Sequence, residues 1–223
     1  MKLSETTLDI LKNFSAINPN MLFKPGQTIS TIAEAKNIMA SARIEESIPS
    51  EFGIYDLTEF LSTLSLTQEP ELEFLEDSLT IREKNASIRY FYSGKELLTV
   101  PTKNVTMPKA ELQISLTEDD LNKVKRAASV LGHPNLEIAG KNGIISLQVV
   151  DPKNPTANKY SLVIDENNAC KETFSFIVVI GNLKMIPGDY IVSISSKLIS
   201  HFKNTSVTIE YWIALEKTST FNS

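Results

Sequence analysis

Four cations carry most of the chemistry this chain offers: Lys12, Lys123, Arg126 and Lys184. Lys123 and Arg126 are three residues apart, so on a helix they share one face. Lys12 holds the matching polar face of an earlier helical stretch, and Lys184 falls in a stretch expected to form a short helix, Asn182–Met185. Cations so placed attract phosphate oxygens in a way that ignores base sequence and weakens with salt. Two cations on a polar helix face are usually just a solvated surface. Their recurrence at matching places in two parts of the chain favours the functional reading. No aromatic residues interleave with them as stacking of unpaired bases would require.

Nothing else assembles into a reactive set. His133 and His201 are far apart in sequence, and Cys170 is the single cysteine, so a structural zinc site lacks ligands. Gly94-Lys95 and Gly140-Lys141 are followed by Glu96 and Asn142, without the hydroxyl and upstream glycine of a phosphate-binding loop. The acids Glu69, Glu71, Glu73, Glu76 and Asp77 are mostly two apart, the spacing of a strand's solvent face. The chain is expected not to be an enzyme and to need no cofactor or metal.

The elements that must position the cations occur twice. Ser4–Ile17 reads as an amphipathic helix, followed by Asn18-Pro19-Asn20-Met21-Leu22 and a turn at Gly26. Thr117–Leu131 repeats the helix, followed by His133-Pro134-Asn135-Leu136 and a turn at Gly143. A second apolar run follows in each copy, Phe52–Leu66 and Phe174–Met185. A unit of about a hundred residues said twice suggests two similar domains and a symmetric assembly. Ser4 and Thr117 are natural N-caps, the latter ahead of Glu118-Asp119-Asp120. Leu121, Val124, Ala128 and Leu131 make a buried stripe, and Gly132 and Pro134 end the helix. Ala33–Arg43 is read as strand by analogy with the second copy, and Leu198–Phe202 fits strand and turn equally. The Pro-containing stretch Gly94–Lys109 is the expected connector, so the fold class is α+β with domains at 1–110 and 111–223.

At 223 residues, 42% hydrophobic and 22% charged, the composition is that of a soluble globular protein. No apolar run reaches the ~18 residues of a membrane span. The start, Met1–Thr7, is too polar for a secretory signal, and a lone cysteine suits a reducing cytoplasm. The triplets at Asn13, Asn85, Asn104 and Asn204 are then chance matches to a glycosylation signal. The net charge is −5: residues 1–110 hold 11 basic and 15 acidic residues, and residues 111–223 hold 11 and 12. This argues against general coating of nucleic acid but not against a basic surface on an acidic protein.

The chain resembles the DNA polymerase sliding clamps of T-even-like bacteriophages over essentially its whole length. The residues that carry the resemblance are Met1-Lys2-Leu3-Ser4, Leu11-Lys12-Asn13-Phe14, Ile54-Tyr55-Asp56-Leu57 with Phe60-Leu61 and Leu64-Ser65-Leu66. Later come Lys159-Tyr160-Ser161-Leu162, Thr173-Phe174-Ser175-Phe176, Lys184-Met185 with Pro187-Gly188-Asp189-Tyr190, and Ala214-Leu215-Glu216. The resemblance implies a ring-shaped homotrimer with helices lining a central channel and antiparallel sheets outside. Such a clamp encircles double-stranded DNA, tethers the DNA polymerase, and is opened by an ATP-driven clamp loader in the cytoplasm of the infected host cell. The transcription machinery is a further candidate partner.

Carried over residue by residue, Lys12, Lys123, Arg126 and Lys184 would face DNA, with Lys2 and Lys125 as weaker candidates. Leu98, Val100 and Pro101, together with Tyr211, Trp212 and Leu215, would form a groove for partner peptides, Trp212 being equally suited to the core. Tyr90, Tyr92, Tyr160, Leu162 and Ile164 would form the subunit joint; the family often has Trp where this chain has Tyr92. The competing readings are a structural β-rich virion or assembly protein, and a monomeric peptide-binding module.

Overall fold

A computed structural model describes residues 1–103, 105–154 and 156–222. Asn104, expected in the connector and in one Asn-x-Thr triplet, and Ser223, the expected end of the second domain, lie outside the described residues. The chain divides into two compact units, Met1–Asn104 and Val105–Ser223. No helix among the described residues is long and apolar enough to cross a membrane.

The first unit opens with α1 (Glu5–Ile17), whose N-terminus is capped by the Ser4 hydroxyl accepting the Thr7 N–H. Ile10, Leu11, Phe14 and Ile17 recur at helical spacing and are buried, each contributing about 2 kcal/mol by leaving water. Then follow β1 (Met21–Phe23), β2 (Gly26–Ile32), β3 (Ile38–Ile48), β4 (Phe52–Ile54) and α2 (Leu57–Leu64). The hairpin strands β5 (Glu71–Phe74), β6 (Ser78–Glu83) and β7 (Ala86–Phe91) complete the unit. β1 pairs with β4, β2 with β3, and β5, β6 and β7 form an antiparallel sheet. α1 packs on α2 and β3.

The second unit has β8 (Leu112–Leu116), α3 (Glu118–Leu131), β9 (Asn135–Lys141), β10 (Ile144–Val150), β11 (Tyr160–Asp165) and β12 (Thr173–Val179). β13 (Tyr190–Ser195), β14 (Ile199–Asn204), β15 (Ile209–Ala214) and β16 (Thr220–Asn222) follow. One antiparallel sheet runs β8-β13-β14-β15 and the other β11-β10-β9-β12-β16. α3 has a full capping box, with Thr117 and Asp120 satisfying each other's backbone N–H, and ends on Gly132 at φ 69°. Leu121, Val124 and Ala128 are its buried residues, and it packs on β10.

The duplication is visible in one repeated hydrogen bond. After α1 the Pro19 carbonyl accepts the N–H of Leu57 at 2.8 Å; after α3 the Pro134 carbonyl accepts the N–H of Ile180, also at 2.8 Å. A proline carbonyl thus fixes the start of the second helical segment in each copy. The segments differ beyond that point. Asp56 caps a two-turn α2, whereas the second copy makes only a 3-10 turn, Ile180–Asn182. Lys184 is therefore not on a helix as expected. The β-branched run Ile177–Ile180 favours strand, and Gly181 and Pro187 leave too little good helix former between them.

Three other expectations are corrected. Residues 34–37 form a turn, with Lys36 at φ 56°, so the strand expected from Ala33 begins at Ile38. Leu198 stands in a left-handed conformation at φ 62° and β14 begins immediately after it, which resolves Leu198–Phe202 as turn then strand. The two strands expected at Ser206–Tyr211 and Ile213–Leu215 are one continuous β15 through Trp212. Along it Tyr211 and Ile213 point into the core while Trp212 and Ala214 take the other face. The Tyr211 hydroxyl accepts the Ile186 N–H at 3.1 Å, and the Tyr190 hydroxyl donates to the Ile186 carbonyl at 2.6 Å. Burial pushes both phenols up, Tyr190 to about 12.

Each long helix also has its N-terminus held by a distant carboxylate of its own unit. Glu46 on β3 accepts the Ser4 N–H and, at 2.6 Å, the Thr7 hydroxyl. Asp189, just before β13, accepts the Glu118 N–H at 2.8 Å. Burial alone would raise the Glu46 carboxyl, but the bonds from Thr7 and Ser4 outweigh it and hold it below its ordinary 4.5. A carboxyl lowered by folding stabilises above its unfolded pKa and loses that contribution as pH falls through the folded one. Glu46→Gln is expected to cost about 1 kcal/mol at neutral pH, allowing for the group's partial exposure. In denaturant titrations the difference from the unsubstituted chain should shrink as pH falls below the ordinary carboxylate value and vanish once the folded carboxyl is protonated. Tyr211→Phe should cost about 1–2 kcal/mol by leaving the partly buried Ile186 N–H without its acceptor, read as a lower urea midpoint with an unchanged slope.

Candidate nucleic-acid interface

The exposed face of α3 is built by its own first turn. Glu118, Asp119 and Asp120 occupy the positions that the helix dipole favours for acids. One turn later come Lys123 and Arg126, both exposed and turned away from Leu121, Val124 and Ala128. Lys123 Nζ lies 2.6 Å from the Asp119 carboxylate, and this hydrogen bond raises its pKa. Arg126 makes no ion pair among the described residues. Lys125 is exposed by area, yet desolvation lowers its ammonium pKa; next to buried Val124, it stands on the helix shoulder. The same face ends in Val130, 79% exposed, which a reading of the charges alone overlooked.

On α1 the exposed residues are Glu5, Thr6, Asp9, Lys12 and Ala16. Lys12 Nζ is 2.9 Å from Asp9. Lys12 and Lys123 are thus each paired with an acid one turn earlier on their own helix, while Lys125 makes no ion pair among the described residues. Lys184 is exposed beyond the 3-10 turn. Lys2 is placed differently: its ammonium is 2.9 Å from Glu69, in a groove also lined by Glu71, Arg82, Glu83 and Lys84. It belongs to the β5 side of the unit and not to a helix face. Among the described residues no group of three or more His, Cys, Asp or Glu side chains is placed to hold a metal ion.

The expected joint residues lie on two strands with open edges. Among the described residues β7 pairs only with β6, and β11 only with β10. Tyr90 and Tyr92, however, turn toward their own unit. The Tyr90 ring meets Phe60 edge-on at 5.3 Å, burial pushing its phenol up to about 12, and Tyr92 stacks on Phe52 at 4.8 Å. Tyr160, Leu162 and Ile164 are likewise half-buried. The outward parity belongs to residues the sequence did not single out: Arg89 and Phe91 on β7, Ser161 and Val163 on β11. Phe91 is 62% and Val163 51% exposed. Arg89 sits 4.8 Å over the Phe91 ring and is 3.0 Å from Asp77. Alternation was the available signal, but both parities of each strand carry large apolar side chains.

The expected groove residues divide between the units. Leu98, Val100 and Pro101 are half-buried in the first, and Leu98 covers Gly53 so closely that a Cβ there would stand 2.7 Å from its Cδ1. In the second, Tyr211 and Leu215 are buried, so neither ring nor isobutyl group is presented at the surface. Tyr211 is corrected to a core residue. Trp212 is half-buried and stacks on His201 at 4.9 Å, while His201 Nε2 is 2.7 Å from Glu210.

Residues 2–100 match the family described as DNA polymerase processivity factor, and residues 113–217 match the C-terminal domain of the gp45 sliding clamp. The chain is 33% identical over 223 residues to the sliding clamp of Vibrio phage KVP40, covering 97% of this chain and 99% of that one. It is 32% identical over 195 residues to the sliding clamp of Enterobacteria phage T4, covering 85% of each. In fold it is similar to the proliferating cellular nuclear antigen of Entamoeba histolytica, with a TM-score of 0.67 at 14% identity and 94% of both chains covered. The Helicobacter pylori beta clamp superposes with a TM-score of 0.71 at 11% identity, over 94% of this chain and 64% of that one. Two α+β units of this architecture, matched in both sequence and fold along nearly the whole chain, lead to one conclusion: it belongs to the phage sliding-clamp family, the non-enzymatic processivity factors of DNA polymerases.

Proposed function

We propose that three copies of this chain close head to tail into a ring that encircles duplex DNA and tethers a DNA polymerase to it. Residues 1–110 and 111–223 would be the two clamp domains of each copy, with 94–110 as the connector. The observation that carries this reading is the recurrence of a capped helix with an exposed lysine in each unit, α1 with Lys12 and α3 with Lys123 and Arg126. These three, with Lys184 and more weakly Lys125, are the proposed DNA-facing set. Lys2, paired with Glu69 beside β5, is the other weak candidate. Contacts of this kind position a duplex without reading bases, as sliding requires.

The joint would form where the open edge of β7 in one copy meets the open edge of β11 in the next. A head-to-tail contact that closes after three copies would leave neither of these two edges free. Phe91 and Val163 would be covered there, with Tyr90, Tyr92, Tyr160, Leu162 and Ile164 stiffening the two strands from behind. Opening by an ATP-driven clamp loader, docking of polymerase or transcription factors near Leu98–Pro101 and Trp212, and residence in the host cytoplasm complete the proposal. The virion-protein alternative draws no support from these likenesses.

On a circular duplex the loaded protein should be retained, and a single cut should release it; release that ignores the cut would reject topological tethering. Lys123→Glu with Arg126→Glu should shorten polymerase products about tenfold or more, the scale expected when several phosphate contacts reverse sign. Phe91→Asp should move the sedimenting mass from three chains to one at micromolar concentration without lowering the unfolding midpoint. An unchanged mass would remove β7 from the joint.

A further inference from the structure

Of the three lysines on α1 and α3, Lys12 and Lys123 are engaged before any DNA arrives. Asp9 and Lys12 are 2.9 Å apart at i,i+3, and Asp119 and Lys123 are 2.6 Å apart at i,i+4. The spacing differs between the units but the arrangement recurs, with the acid one turn toward the helix N-terminus in each. Neither acid is required for capping. The α1 cap is made by Ser4 with Glu46, and the α3 cap by Thr117, Asp120 and Asp189. Arg126, on the same face as Lys123, has no such partner among the described residues.

We propose that Asp9 and Asp119 are internal counterions that compete with phosphate for Lys12 and Lys123, holding the attraction between ring and duplex low enough for free sliding. This rests on the reading that α1 and α3 face DNA. An exposed ion pair on one helix is weak, so each lysine remains able to reach a phosphate. It does so by exchanging one anion for another, not by gaining one. Fewer counterions are then released per contact, and the salt dependence of binding is shallower than a count of cations would give. Arg126, and more weakly Lys125, are left as the α3 cations that meet phosphate without exchange.

The test uses the full chain and a short labelled duplex of mixed sequence, followed by fluorescence anisotropy across a salt titration. Asp9→Asn with Asp119→Asn should bind at least about threefold more tightly at low salt. The log–log salt slope should steepen by up to about 0.9 per phosphate newly contacted. Placing the same pair on a Lys12→Gln, Lys123→Gln background should abolish the gain. Either aspartate variant alone should show part of the effect, which keeps the test open if the double variant unfolds. Unchanged affinity and slope, with Arg126→Gln still weakening binding, would overturn the counterion role and leave the DNA-facing reading standing. A full gain on the lysine-free background would also overturn it, assigning the acids to general repulsion. If Arg126→Gln and Lys123→Gln have no effect either, both readings fall.

Discussion

A helix that faces a polyanion has to carry cations, yet its N-terminal turn exposes unpaired N–H groups and is stabilised by acids. On the proposed reading, that conflict applies to both long helices of this protein. In α3 it is resolved along the axis: Glu118, Asp119 and Asp120 fill the first turn and the cations begin at Lys123. In α1 the same order holds with Glu5 and Asp9 ahead of Lys12. The remote carboxylates Glu46 and Asp189 add anchors from the sheets, so helix position and helix electrostatics are set by the same bonds. Acids at the N-terminal ends of these helices are therefore compatible with cations further along the same exposed face.

The sheets impose a second constraint. An unpaired edge exposes backbone N–H and C=O groups, and on β7 and β11 it also exposes one large apolar side chain apiece, Phe91 and Val163. Within a lone chain such an edge is an aggregation hazard. Arg89, lying over the Phe91 ring, covers part of that surface with a charged group.

Where a signal was local and redundant, it was legible from sequence. α1 and α3 were readable because an N-cap, first-turn acids, a periodic apolar stripe and a Pro or Gly stop all agreed. The duplication was readable from the Pro-Asn breaks, although not the carbonyl of each proline as the bonding partner. What failed depended on parity or on unusual backbone. Tyr90 and Phe91, or Tyr211 and Trp212, are adjacent aromatics, and composition does not say which of each pair turns inward. Leu198 occupies a left-handed position that glycine usually takes, so the turn before β14 carried no glycine to announce it. The expected helix at Lys184 was lost to β-branched neighbours and to the nearby Gly181 and Pro187. Ion pairs such as Asp119–Lys123 follow from i,i+4 helix spacing alone, although first-turn acids also suit the helix N-terminus.

Asn18 has a role that reaches past its helix. It is the residue that ends α1, and its side-chain amide donates at 2.8 Å both to the Ile32 carbonyl and to the carbonyl of Thr99, while Asn20 Oδ1 accepts the Thr99 N–H at 3.0 Å. The chain is thereby held through both backbone groups of one residue, Thr99, by the segment that ends α1. As far as Thr99 the polypeptide is tied to the tail of α1 as part of the first unit.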